Sequence, residues 1–430
     1  MNDKTTINAW CAYDWANSAY MLTITSAIFP IYYNASTRSA FNGDTIPFMG
    51  LEISNTVLYS YALSFSFLVI VLISPILSGI ADYGNLRKPL MKTFTYLGAF
   101  SCMGLFFFEG HNINYGITLS ILASIGYAGS LVFYNAYLPE ICSRDMIDKV
   151  SAKGYSWGYI GGVIQLTLSL IVVLSPKTFG ITNDSLPAQI SFLSVGLWWI
   201  IFSQYSFRKL PENNHSVEPQ KASTLLKGYQ NIHRVWQEIK AKPYIKKYLT
   251  AFFCYNMGVQ TIMLLAATFG EKTLSLSTGE LIGTILAIQF IAVPGSYLFA
   301  NISRRKSNTY SIIIMLFLWI IVCINAYFVN SAIQFFMLAS LVGLIMGGIQ
   351  SLSRATYSKL IPNENSNNTS YFSFYEITEK LSIVGGTFSF GFIESLTGNM
   401  RHSTLLLMFY FIVGIILMFR FKRNARAHQV

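Results

Sequence analysis

Twelve stretches of roughly 18 to 25 residues, each nearly free of charge, recur along this chain and constrain it more than any motif does. A bilayer hydrocarbon core is about 30 Å thick, so a helix needs about 20 apolar residues to cross it. The stretches lie at 10–33, 54–80, 90–108, 115–138, 152–175, 188–206, 247–268, 279–301, 309–328, 332–353, 371–395 and 403–420. They predict an all-α polytopic membrane protein. Composition agrees, because 53% of the 430 residues are hydrophobic and only 11% are charged, where a soluble protein carries about 25%. Polar residues interrupt the first, seventh and eleventh runs. The N-terminal stretch has one Lys and leads straight into a long span, so no cleavable signal peptide is expected.

A net charge of +11 would point to nucleic acid if the charges were scattered. They are not. With the N-terminus inside, 25 of the 30 Lys and Arg fall in inner segments and adjoining span ends. The outer loops keep Arg38, Lys177, Lys272 and Arg401, and Lys380 lies within the eleventh span. This positive-inside bias, with an even number of spans, places both termini in the cytosol of a cell-membrane protein. Nucleic acid is not an expected partner. The five cysteines lack metal-site or disulfide spacing and read as packing residues.

The longest polar stretch, 207–246, separates residues 1–206, with six spans, from 247–430, with six more and a short basic tail. Within it Leu225, Tyr229, Ile232, Trp236 and Ile239 recur at helical spacing. That predicts either an amphipathic helix on the inner membrane surface or a tether with a helical turn or two. Matched landmarks tie the halves together: ADYGNLRK (81–88) with ANISRRK (300–306), YLPE (137–140) with KLIPNE (359–364), and Gly161-Gly162 with Gly385-Gly386. Three pairs in order at nearly one offset indicate a parallel repeat of two six-helix bundles, which resembles the major facilitator plan. That plan places a substrate site near the midplane between the halves.

The ADYGNLRK turn resembles the major facilitator signature after helix two, although Ser78 takes the usual glycine position. The resemblance implies that Asp82 caps the start of helix eleven when the protein faces outward. Arg87 and Lys88 would then hold nearby acids or lipid phosphates. The alternative is a short loop made basic by topology alone. A wider resemblance runs through YDWANSAY (13–20), IFPIYY (28–33), YNAYLPEI (134–141), GYIGG (158–162), YNMGVQT (255–261), GGIQSLSR (347–354) and EKLSIVGG (379–386). These segments are similar to the vacuolar-effluxer family. Its fungal members are linked to amino-acid release from the vacuole, which implies amino-acid efflux here. Many members carry Asp after YN in helix seven; here it is Met257, so if that Asp couples protons in the family, this chain uses another carboxylate or none.

An ionisable side chain inside a span costs roughly 2.5 to 3.5 kcal/mol. Asp14, Glu376, Glu379 and Lys380 lie inside spans, and Arg354 at the edge of one. Asp14, Asn17, Ser18 and Thr25 share one face of helix one. Asp14 there binds an amine, carries a proton, or simply reaches interfacial water. Tyr255, Asn256, Gln260 and Met263 on helix seven, Tyr134 and Asn135 on helix four, Tyr155, Tyr159 and Gln165 on helix five, and Gln350 with Arg354 on helix ten supply polar groups for a zwitterionic solute. Each serves equally well as interhelical glue. Glu376 and Lys380 form an i, i+4 pair, either part of an inner gate, a hold on a substrate carboxylate, or side chains snorkelling at the membrane edge. Pro30, Pro75 and Pro294 read as kinks, and the glycine pairs at 161, 347 and 385 as sites of close helix approach.

ATP hydrolysis is excluded, since Gly is never followed by Lys. All five histidines fall in loops or the tail, so a metalloenzyme is not expected, nor is any cofactor. A channel would show a filter repeat, which is missing. The sequence therefore predicts a monomeric secondary transporter of a small solute, driven by a proton gradient or by the solute's own gradient and surrounded by membrane lipid. A lipid, lysolipid or drug transporter of the same fold is the alternative.

Overall fold

A computed structural model describes residues 1–212, 224–362 and 367–427. Part of the connecting stretch, including Ser216, and part of the KLIPNE segment, including Asn363 and Glu364, lie outside the described residues. The chain is helical nearly throughout. The first half comprises α1 (Lys4–Ala19), α2 (Phe29–Phe41), α3 (Asn55–Gly84), α4 (Arg87–Gly104), α5 (Ile113–Asn135), the short α6 (Leu138–Ile141), α7 (Ile147–Leu174) and α8 (Leu186–Lys209). After α9 (Thr224–Ala241) the second half runs through α10 (Pro243–Leu274), α11 (Thr278–Arg305), α12 (Asn308–Phe328), α13 (Ala332–Leu360), α14 (Asn368–Thr397) and α15 (Met400–Ala427).

Ten of these helices are long and apolar enough to cross a membrane. The continuous α1–α2 rod and α14 complete twelve. They fall short by composition because they carry the polar residues noted above, and those residues turn inward. α1 and α2 are joined by π-helical turns over Tyr20–Ile28, so the first span reaches from residue 4 to 41 rather than 10 to 33. Pro30 therefore does not break the rod: it sits at the start of α2, where its missing N–H interrupts no α-helical bond. Pro75 and Pro294 lie inside α3 and α11.

Between α2 and α3 a two-stranded hairpin, β1 (Thr45–Phe48) and β2 (Leu51–Ser54), pairs antiparallel. Its two-residue turn, Met49-Gly50, has φ of +50° and +82°, as a type I′ turn requires.

The glycine pairs mark close approach. A Cβ at Gly161 of α7 would lie 2.5 Å from the Trp15 carbonyl of α1, and one at Gly386 of α14 would lie 2.5 Å from the Met257 carbonyl of α10. In both halves the fifth span thus presses its glycine against the first span. Gly347 of α13 meets the backbone of Ala292 on α11 in the same way.

α9 departs from the expectation of a helix resting on lipid. Its apolar face docks on protein: Ile232 is buried, Val235 and Ile239 join the core of the second half, and Trp236 stacks on Phe374 of α14 at 5.5 Å. Asn231 Nδ2 bonds Ser370 Oγ, and Tyr371 donates to Glu238.

Candidate functional site

The halves meet along a seam that changes character with depth. At the face carrying the N-terminus, the 84–87 turn and the start of α14, called here the terminal face, charged and polar groups cross it. Asp82, at the end of α3, accepts the backbone N–H groups of Thr369 and Ser370 at 3.1 and 2.7 Å. These are among the unpaired donors of the first turn of α14, where the helix dipole favours a carboxylate. Arg87 lies 3.5 Å from Asp82, donates to Thr369 Oγ1, and pairs with Glu140 at 2.7 Å. Glu140 also accepts from Asn368. Lys88 stays within its own half, bonding the Leu210 carbonyl. On the opposite side of the same face, Asp148 of α7 takes hydrogen bonds from Ser303 and Asn308 and an ion pair from Lys359 at 2.7 Å.

One layer deeper the cost of burying charge is met by a dense network. Arg354 of α13 is 2% exposed. Its five N–H groups are all directed: two to Asp14 Oδ2 at 3.3 Å, one to Asn135 Oδ1 at 3.2 Å, and two to the side chain and carbonyl of Ser151 at 3.1 Å. Its guanidinium also lies over the rings of Trp10 and Tyr155, at 4.6 and 4.1 Å. Asn135 bridges onward, donating to Glu376 at 2.7 Å. Lys380 then sits 3.5 Å from Glu376 and 3.2 Å from Glu379. The room for Arg354 is made by Gly154, where a Cβ would fall 2.6 Å from Asp14 Oδ2 and 3.0 Å from Arg354 Nη2.

Above this layer, from mid-depth toward the far face, the seam opens into a cavity of about 160 Å³. Its wall takes Ser18, Met21 and Ser26 from the first span, Tyr155 and Tyr159 from α7, and Gln260, Gln289 and Gln350 from the second half. Much of the rest is apolar, with Leu22, Met263, Leu264, Ile288 and Met346 among the lining side chains, beside Tyr127 and Thr284. Tyr159 donates to Gln350 across the halves at 2.6 Å. The π-helical turns of the first span supply Met21, Leu22 and Ser26 to this wall. The seam is thus closed at one face and hollow toward the other.

The pattern of the family described as "Vacuole effluxer Atg22 like" matches residues 2–429. The chain belongs to that family. The uncharacterized MFS-type transporter YxiO of Bacillus subtilis is 28% identical over 96% of this chain and 93% of its own. Autophagy-related protein 22 of Pichia angusta is 23% identical over 94% and 89%. The crystal structure of the major facilitator transporter FucP in its outward conformation has a TM-score of 0.69 over 96% of this chain and 98% of its own, at 13% identity. The last likeness concerns the fold alone. Together they make this vacuole-effluxer relative a transporter of the major facilitator type and not an enzyme.

Of the residues singled out in the sequence, Asp14, Asn135, Arg354, Glu376 and Lys380 converge in one buried layer, and Asp82 and Arg87 in the terminal-face crossing. Gln260 and Gln350 line the cavity, and Asn256 lines a small recess beside it while bonding Ser382. Asn17 is buried but is not part of the cavity wall, and Tyr255 is tied to Ser353 inside the second half. Three expectations change. Arg354 is not at a span edge, because α13 continues to Leu360. Lys380 does not snorkel, being 3% exposed, and Asp14 at 6% does not reach interfacial water. Sequence reasoning missed Asp148 and Ser151, which sit among the basic residues of a turn and read as loop polarity. Glu140 appeared only as part of a landmark.

Proposed function

We propose that this protein is a secondary transporter that moves a small amphiphilic solute, an amino acid or similar metabolite, by alternating access, and that it exports this solute with proton coupling. The observation that carries the reading is the seam: a central cavity open toward one face above a layer of ion pairs that closes the other. Residues 1–206 and 247–430 act as the two moving bodies, and 207–246 joins them. The cavity wall supports the solute class. Tyrosine hydroxyls and glutamine amides hydrogen-bond carboxylate and amino groups, while Met, Leu and Ile accept an apolar side chain. Proteoliposome uptake of labelled amino acids under an imposed pH gradient tests it. Uptake that exceeds empty liposomes and collapses with the gradient is expected; gradient-independent leakage of every solute would overturn it.

The basic bias of inner segments supports a cell-membrane protein whose terminal face is cytosolic. Cysteines placed at Asn42 and Lys306 should then react oppositely with an impermeant reagent on intact cells, Asn42→Cys from outside only. Labelling of Lys306→Cys from outside would reverse the orientation. The apolar portion of the cavity wall favours a second reading, a lipid or lysolipid transporter. Metabolite and lipid profiling of cells lacking or overproducing the protein separates the two.

A further inference from the structure

The buried layer does not balance in charge. Three carboxylates, Asp14, Glu376 and Glu379, face two cations, Arg354 and Lys380, in a region where an uncompensated charge is costly. Arg354 is committed to Asp14, with every N–H directed as described above. Lys380 hydrogen-bonds Glu379 at 3.2 Å. Glu376 is left with the weaker claim on Lys380: it is 1% exposed, its Oε1 accepts from Asn135, and its Oε2 makes no hydrogen bond. We propose that Glu376 is the proton-carrying site of this transporter, reached from the central cavity through Glu379. The inference rests on the transporter reading above and moves the coupling role away from Asp14.

Geometry supplies the route. Glu379 lines a recess of about 10 Å³ with Asn256, Ser353 and Tyr375. That is about the room that one water needs. The recess shares Tyr155, Gln260 and Gln350 with the wall of the central cavity. A proton arriving from the cavity therefore meets Glu379 first, at 18% side-chain exposure, and Glu376 one turn deeper. Carboxylate Oε2 of Glu376 takes the proton and becomes an O–H, and Oε1 keeps the bond from Asn135. The layer then holds two negative and two positive charges.

Titratable and charged groups reach the pair's surroundings from several helices. α1 presents Asp14 and α13 presents Arg354, joined to Glu376 through Asn135; α5 presents Tyr127 and α7 presents Tyr155, while Tyr134 of α5 lies against Asp14 and Tyr248 and Tyr255 of α10 lie near Tyr375. α3 presents the Phe67 ring, over which Lys380 lies at 5.8 Å. Tyr375 lies on α14 itself. None of these tyrosines supplies a cation, so the surplus carboxylate stays surplus.

The test is infrared difference spectroscopy of the full-length protein in nanodiscs, titrated with H⁺ alone and no solute. The C=O stretch of a buried protonated carboxylic acid should appear and vanish with pH in the unmodified protein and be lost in Glu376→Gln. Glu379→Gln removes one negative charge from the layer, so the band should persist but vanish at lower pH. Because Glu379 is partly exposed, that variant keeps the question open to measurement if Glu376→Gln fails to fold. Asp14→Asn also rebalances the layer and should shift the band in the same direction. A band that survives Glu376→Gln, one that stays put in Glu379→Gln, or no titrating band at all overturns the proposal. None of these outcomes depends on transport, so each is distinct from failure of the transporter reading.

Discussion

The terminal and far levels of the seam share α7, α11 and α13 yet solve opposite problems. Near the terminal face the halves are joined by directed contacts: Asp82 on the start of α14, Glu140 between Arg87 and Asn368, and Asp148 among Ser303, Asn308 and Lys359. Toward the far face, among the described residues, a single side-chain bond, Tyr159 to Gln350, spans the cavity. Hydrogen bonds between charged groups in a dry environment are lost together when two bodies separate, because each partner is left unpaired. A tyrosine and an amide can exchange partners with a solute at small cost. One level is therefore a closure and the other a receptacle, and the buried charge layer is the floor between them.

Breaking the floor should have the largest effect. Arg354→Met leaves Asp14 buried without its cation, a loss of about 3–5 kcal/mol. Thermal unfolding in detergent should show the protein strongly destabilised, and the double variant with Asp14→Asn should recover much of the loss, because both charges are then gone. No recovery in the double variant would mean that Arg354 acts through packing on Trp10 and Tyr155 instead. Next comes Lys380→Met. It should still insert but lose transport at least tenfold, on the order of 1.4 kcal/mol in the rate-limiting step. Lys380→Arg should recover little, since a planar guanidinium does not replace a compact ammonium between two carboxylates. Normal transport by Lys380→Met would remove the floor from the mechanism.

How much of this contrast could be read from residues alone differs between the levels. Asp82 and the 81–88 turn were legible because a short turn between two spans has a strong local pattern. Glu376 and Lys380 were legible as a pair because their spacing is local to one helix. Asp148 was not, since its partners lie on α11, α12 and α13, more than 150 positions away, and only packing of the halves brings them together. The Arg354–Asp14 pair, 340 positions apart, was hidden for the same reason, although both residues were noticed. The span count survived because hydrophobic length is a local signal. The start of the first span did not, because its first turns, Lys4 to Ala9, carry Lys, two Thr and Asn and begin on the Asp3 cap, a signal that hydropathy does not register.

A smaller effect should separate closure from receptacle. Tyr159→Phe removes the hydroxyl that donates to Gln350 and should weaken solute affinity by about 1 kcal/mol, roughly fivefold. It should leave thermal stability nearly unchanged. Equilibrium binding of the transported solute checks it; unchanged affinity would place the solute elsewhere in the cavity.

The central claim is that the terminal-face contacts hold the seam closed while the cavity opens to the far face. Spin labels at Arg144 and Lys306 report the terminal face, and labels at Lys177 and Glu271 the far face; all four residues are exposed. Pulsed dipolar distance measurements in nanodiscs should be compared before and after Asp82→Ala, which removes the cap on α14 at a cost of about 1–2 kcal/mol. The terminal-face distance should lengthen and the far-face distance shorten in a shared fraction of molecules, by about tenfold in population ratio. Distances that stay fixed at both faces, or that lengthen at both together, would contradict the account.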